Sequence, residues 1–259
     1  QGPPFFRRCE MTVYARAYRV LSRIFSEGAY LSDALRSDTG EDRAKLTYLV
    51  YGVLDRAVEL DFIIGQCCRA PKPAAKLILR IGTFLGRYSR MPAYAAVDEC
   101  VKLCRELGKE GLCGFVNATL RRCIECEIAY PRGRAEALAV RYSFPEWIVK
   151  KYLRQYGADA EKLLAFRPET REHIRVRGEG KTFREALAAA GVAFSESGLP
   201  DAVFADYGAL LAAGLPGEDY VKMNEGSMEI CRLAAEGEVP ARILDACAAP
   251  GGKSCYLAD

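Results

Sequence analysis

Residues 12–127 are apolar at three- and four-residue steps almost without interruption, and proline and glycine cut the pattern into short lengths. Val13, Ala17, Val20, Leu21, Ile24 and Phe25 mark one stripe, the face of an amphipathic helix. A second helix is predicted from near Asp42 through KLTYLVYGVLDRAVEL, its preceding acids suiting a positive helix N-terminus. A third follows Pro71 and Pro73, with Leu77, Ile78, Ile81 and Leu85 on one side and Lys76, Arg80 and Arg87 on another. A fourth opens after Met91-Pro92, and a fifth spans Cys113 to about Cys126. Short connections between such stripes predict a compact all-α bundle.

Beyond Pro131-Arg132-Gly133 the pattern changes. Residues 134–166 are predicted helical, with a corner at 142–147 (YSFPEW). His173-Ile174-Arg175-Val176-Arg177 alternates as a strand does; a helix from Thr182 to Ala190 and extended pieces near 192–194 and 202–204 complete a small α+β module. Glu225 to Ala235 is predicted helical. Arg242-Ile243-Leu244-Asp245-Ala246-Cys247 is expected to be a buried strand running into a Gly-rich turn, with a helix from Lys253 to Ala258. One strand and one helix cannot cover both faces of a parallel sheet, so an α/β domain is expected to continue past Asp259. The domain expectation is therefore 1–130 for the bundle, 131–168 for a helical linker, 169–222 for the α+β module and 223–259 for the start of the α/β domain.

Composition sharpens the function classes. No segment has the roughly 18–20 uninterrupted apolar residues that cross a bilayer, and the first eight residues lack the apolar run of a secretory signal. Gln1-Gly2 reads as the scar of a cleaved tag, and a cytoplasmic setting is expected. The 11 cysteines lie mostly in helical surroundings, as Cys100 and Cys104 do, and are read as reduced, buried thiols. Cys123 and Cys126 have half the spacing of a zinc site, but no second pair and no nearby histidine completes it, His173 being the only one, so no metal is expected. Net charge is only +3, unevenly spread: residues 1–130 hold 20 basic and 15 acidic side chains, the remainder 17 and 19. A basic helical segment permits phosphate contacts without demanding them.

A strand, a Gly-rich turn and a helix bring a ligand to exposed backbone N–H groups. Gly251 and Gly252 leave the backbone open, Pro250 stiffens the turn, and Asp245 stands at the expected strand's carboxyl end. A phosphate-binding P-loop would need glycine where Cys247 stands, and the dinucleotide fingerprint is missing as well.

Asp245-Ala246-Cys247-Ala248-Ala249-Pro250-Gly251-Gly252-Lys253-Ser254 is similar, residue for residue, to the first cofactor motif of the Sun-type (RsmB-like) RNA cytosine-5 methyltransferases. Residues 221–228 (VKMNEGSM) resemble the segment entering that family's catalytic domain. Residues 79–84 (LRIGTF), Met91-Pro92, 97–101 (VDECV) and 115–121 (FVNATLR) resemble the signature of a NusB-like RNA-binding domain, with 51–54 (YGVL) and Leu60-Asp61 in the same pattern. The corner at 142–147 resembles the joint after that domain in the rRNA enzymes. The chain departs from the family at Arg177, where asparagine is usual, and its N-terminal arginine cluster is thin, with Arg16 and Arg19 as best candidates.

The resemblance implies a multidomain protein: an all-α NusB-like bundle, a small α+β module and the beginning of a Rossmann-like methyltransferase domain. It implies methylation of carbon 5 of a cytosine in small-subunit rRNA, with S-adenosylmethionine as methyl donor. A cysteine thiolate adds to carbon 6, carbon 5 takes the methyl group, and a base removes its proton. In the family two cysteines on later motifs do this work; neither motif occurs before Asp259, and Cys247 is not the family's nucleophile, so no catalytic residue is assigned. Cys247, Ala248, Ala249, Pro250, Gly251, Gly252 and Lys253 are expected to line the cofactor and Asp245 to order the turn, with Lys253 either reaching the cofactor carboxylate or facing solvent as a helix-start cation. Residues 1–259 alone are expected to bind cofactor weakly and to have no turnover. Arg16, Arg19, Lys76, Arg80, Arg87, Arg121 and Arg122 are the candidate RNA contacts. The chain is expected to be a monomer. The rival reading is a non-catalytic RNA-binding module of antitermination type.

Overall fold

The computed structural model describes residues 11–38, 40–167, 172–236 and 242–259; the opening residues taken above as a tag scar lie outside them. The chain divides into two compact units, Gln1–Phe166 and Arg167–Asp259.

The first unit is all helical: α1 (Val13–Glu27), α2 (Leu31–Arg36), α3 (Arg43–Asp55), α4 (Ala57–Cys67), α5 (Pro73–Tyr88), α6 (Ala93–Glu106), α7 (Cys113–Glu125), α8 (Arg134–Tyr142), α9 (Glu146–Tyr156) and α10 (Ala160–Ala165). Thr12 begins α1 by accepting from the Ala15 N–H (3.2 Å), and Gly28, at φ 69°, ends it. The sequence pattern over 43–60 predicts one helix, but Arg56 (φ −111°, ψ 15°) breaks it into α3 and α4. Its guanidinium lies 3.9 Å from the Tyr88 ring centre and pairs with Glu59 at 2.9 Å, contacts a continuous helix would not aim. Proline at its first position starts α5, the axis of the bundle, which buries ten residues and packs on α1, α3, α4, α6 and α7. Ile78, Leu79 and Ile81 are fully buried with Leu21, Leu49, Ile63 and Leu120 around them. Gly82 is required by this closeness: a Cβ there would stand 2.6 Å from Leu120 Cδ1 and 2.8 Å from Cys100 Sγ.

The corner over 142–147 turns at Ser143, in the left-handed region at φ 58°. Ser143 Oγ accepts from the Val58 N–H (3.2 Å), so the corner closes the first turn of α4. α8 packs on α4, and Leu138, Val149 and Leu164 form a smaller core among α8, α9 and α10. Residues 134–166 therefore continue the first unit.

The second unit contains an antiparallel sheet in the order β2-β3-β1-β4, from β1 (His173–Val176), β2 (Phe194–Glu196), β3 (Ala202–Ala205) and β4 (Tyr220–Lys222). β1 sets Ile174 against Val203 and, on its other edge, Lys222. One core, holding Ile174, Val176 and Val203, is completed by Phe183 and Leu187 of α11 (Gly180–Ala189) and Leu210 of α12 (Tyr207–Ala212). A second core joins Leu199, Ala202 and Met223 to Met228 and Cys231 of α13 (Glu225–Ala234), with Tyr256 and Leu257 of α14 (Gly252–Ala258) packed against it. Strand β4 and helix α12 escape the sequence pattern, being only three and six residues long. Asp206, whose Oδ1 accepts from the Ala209 N–H (2.6 Å), is the cap signal that marks α12.

One expectation is overturned. Residues 242–247 are not a strand, and Leu244 is 91% exposed rather than buried. A strand needs a neighbour to take its N–H and C=O groups. Among the described residues nothing pairs with this segment, and the four-stranded sheet closes without it.

Candidate functional site

The loop ahead of α14 is held at both ends by one carboxylate. Asp245 Oδ1 accepts from the Cys247 N–H (2.9 Å) and Oδ2 from Ser254 Oγ (2.7 Å), tying the entry of the loop to the first turn of the helix. The Ser254 hydroxyl, then the Cys247 amide, holds the Asp245 carboxyl below its ordinary range, and Lys253 adds to this. Gly251 caps α14 at φ 106°, a conformation that L side chains rarely adopt, and no heavy atom stands within 4 Å of where a Cβ would be. Cys247, Ala248, Ala249 and Pro250 face solvent; Gly251, Gly252 and Lys253 are half-buried. The seven residues expected to line a cofactor are thus contiguous and accessible, and Asp245 orders them.

Behind the loop, α14 is fixed to the sheet. Tyr256 OH donates to Asp201 (2.6 Å), and Cys231 Sγ lies 3.7 Å from the Lys253 carbonyl oxygen. Arg175, nearly buried on β1, donates to Asp259 (2.9 Å) and stacks 4.0 Å from the Tyr256 ring centre. Arg177 grips the same carboxylate twice, at 3.0 Å each. The sequence pattern gave these arginines no role. Their position two apart, Arg175 on β1 and Arg177 just past its end, is the only sign in the residues that both reach one partner.

The candidate RNA contacts separate into two groups. Arg16 is 9% exposed; its Nε meets both Asp38 oxygens (2.9 and 3.1 Å), its Nη2 pairs with the same carboxylate and its Nη1 with the Glu41 carbonyl. Arg16 draws the Asp38 carboxyl below its ordinary range by this hydrogen bonding. Arg80, also 9% exposed, grips Asp61 twice at 2.7 Å and stacks on Phe25; Lys76 joins the same carboxylate at 2.8 Å. Burial would raise the Asp61 carboxyl, but its Arg80 and Lys76 hydrogen bonds override that and hold it low. Arg87 donates to the Cys123 carbonyl (2.6 Å) and to that of Cys126, closing the end of α7, and Arg122 donates to the last carbonyl of α4. These five side chains serve the bundle itself. Arg19 and Arg121 are exposed and form no ion pair among the described residues, Arg121 having only a 3.3 Å contact from Nε to Asn117.

Ten cysteines are described, none in a disulfide. Burial raises the thiols of Cys100 and Cys123 strongly and that of Cys104 to about 11, so these are protonated apolar side chains. Cys123 and Cys126 both meet Cys67, Cys67 and Cys126 standing 3.7 Å apart. No group of three or more His, Cys, Asp or Glu side chains suited to a metal occurs among the described residues, and no described helix is long and apolar enough to cross a membrane.

Residues 13–125 match the model of the NusB family. The chain is 30% identical over 241 residues to the probable ribosomal RNA small subunit methyltransferase B of Bacillus subtilis, covering 85% of this chain and 52% of that protein. It is 30% identical over 257 residues to ribosomal RNA small subunit methyltransferase B of Xanthomonas campestris, covering 93% and 57%. The Escherichia coli O157:H7 protein of the same name is 27% identical over 262 residues, covering 93% and 59%. The chain thus spans just over half the length of these relatives. The crystal structure of PH0851 has the same fold, with a TM-score of 0.62 at 16% identity over 96% of this chain and 61% of that one. This chain is thus similar to the NusB family over residues 13–125 and, over most of its length, to proteins named ribosomal RNA small subunit methyltransferase B.

Proposed function

We propose that the protein methylates carbon 5 of a cytosine in small-subunit rRNA, using S-adenosylmethionine, and that these 259 residues supply its RNA-binding bundle and first cofactor loop. The observation that carries this reading is the loop from Asp245 to Ser254, whose entry and exit one carboxylate fastens together. That fastening holds a run of small residues and backbone amides open to solvent, as contact with the methionine and ribose portions of a cofactor requires. S-adenosylmethionine would supply the electrophilic methyl group. Asp245 keeps the loop in shape, Gly251 allows the backbone its turn, and Lys253 would meet the cofactor carboxylate. The exposed apolar side chains of Leu244 and Ile243 suit a surface that a further part of the fold would cover.

Arg19 and Arg121 are the phosphate contacts in this reading, because the other five candidate cations are engaged within the bundle. The 259-residue chain alone is assigned no turnover, the nucleophilic cysteine belonging to later motifs in the family. Mapping 5-methylcytosine in small-subunit rRNA from cells with and without the gene tests the function. Loss of one modified cytosine on deletion, restored by the gene, is the expected result; an unchanged modification map would contradict it.

A further inference from the structure

We propose that the cleft between the first turn of α6 and the end of α7 is a subsite for an unstacked nucleobase of single-stranded RNA, with Tyr94 as its stacking face. The inference rests on the RNA-binding reading above and specifies what part of the RNA is held.

The cleft, of about 270 Å³, is lined by Ala93, Tyr94 and Val97 of α6 and by Arg121, Ile124 and Glu125 of α7. Pro92 fixes the start of α6, and two residues later Tyr94 stands 74% exposed. Its ring joins no aromatic pair and its hydroxyl no hydrogen bond among the described residues, in contrast to Tyr88, which is held by Arg56 and Phe84. Val97 and Ile124 give the cleft an apolar floor; Val97 is buried in the bundle core and Ile124 packs against it.

Two charges of opposite sign complete the wall. Arg121 and Glu125 are one helical turn apart, yet no ion pair joins them. Arg121 keeps its terminal nitrogens free, and Glu125 has no partner among the described residues. A lone anion such as phosphate would be repelled by Glu125. A nucleotide satisfies both groups, its phosphate meeting the guanidinium and an amino or imino N–H of the base donating to the carboxylate, as cytosine N4 does to Glu. The base then stacks on Tyr94, the means by which proteins hold splayed single-stranded RNA. A duplex cannot present a base this way without opening.

The test uses the 259-residue chain with two short RNAs of equal length and charge, one a cytosine- and guanine-containing single strand, the other abasic. Titrations are read by fluorescence anisotropy at low salt. The wild-type chain is expected to bind the base-bearing strand at least about 5-fold more tightly than the abasic one. Tyr94→Ala should abolish that preference while leaving abasic binding and thermal stability unchanged, and Tyr94→Phe should retain it. Arg121→Ala should weaken both RNAs. If Tyr94→Ala keeps the full preference, or the wild type shows none, the subsite is wrong although RNA binding stands, and the cleft serves another partner. If the wild type binds neither RNA, the subsite falls together with the RNA-binding reading.

Discussion

The bundle around α5 and the loop ahead of α14 are ordered by opposite means. Around α5, apolar side chains are fully buried, and even arginines are drawn in against Asp38 and Asp61. In α14 no residue is buried, and the loop keeps its shape through Asp245 and through the polar ties of Tyr256, Arg175 and Arg177. A region held by apolar burial responds to lost volume, whereas one held by a few hydrogen bonds depends on individual polar atoms.

The sharpest way to break this contrast is to remove volume from α5. Leu79→Ala should cost the bundle about 3 kcal/mol, seen as a lower denaturant midpoint; a cost under about 1 kcal/mol would mean that the core around α5 is loose. Next comes the Arg16–Asp38 pair, where Asp38→Asn should cost about 2 kcal/mol by leaving a nearly buried guanidinium without its charged acceptor. Its pH dependence has a definite sign. Because the folded Asp38 carboxyl lies below its ordinary value of 3.8, its contribution is complete above that pH and is lost as pH falls through the lower, folded value. Wild type and Asp38→Asn should therefore converge in stability under acid; curves that stay parallel would remove Asp38 from the ledger.

At the loop the effect is local. Asp245→Ala should leave the thermal midpoint of the bundle unchanged while amide hydrogen exchange at Cys247, Gly252 and Lys253 accelerates; unaltered exchange would show that the loop is shaped by something else. Smallest in stability are Arg19→Glu and Arg121→Glu, each within about 0.5 kcal/mol of wild type because both side chains are exposed. Each should nevertheless reduce the salt dependence of RNA binding by about one phosphate contact. Arg80→Ala, by contrast, should act on folding first.

The same contrast governs what the residues alone disclosed. Helical periodicity located α1 and α5 to α7 because each has one face in a common core, and the period does not depend on distant partners. The break at Arg56 was hidden because its cause is Tyr88, some thirty residues away. The basic side of α5 was visible as charge, yet charge alone does not say whether Arg80 faces solvent or Asp61. At the loop, the string of residues disclosed Asp245 and Gly251, whose roles are local. It misled over 242–247, where apolar residues suggested a strand that no described neighbour pairs with. The Arg175–Asp259 and Tyr256–Asp201 ties were invisible for the same reason, joining residues far apart in the chain.

The central claim is that the Asp245–Ser254 loop receives S-adenosylmethionine. Backbone amide chemical shifts of the isotopically labelled chain, followed during titration with S-adenosylmethionine, test it even if binding is weak. The amides of Gly251, Gly252 and Lys253 should move and saturate together while Gly82 in the bundle stays still, and Asp245→Ala should suppress the movement. Stationary loop amides at saturating cofactor, or shifts confined to the bundle, would contradict it.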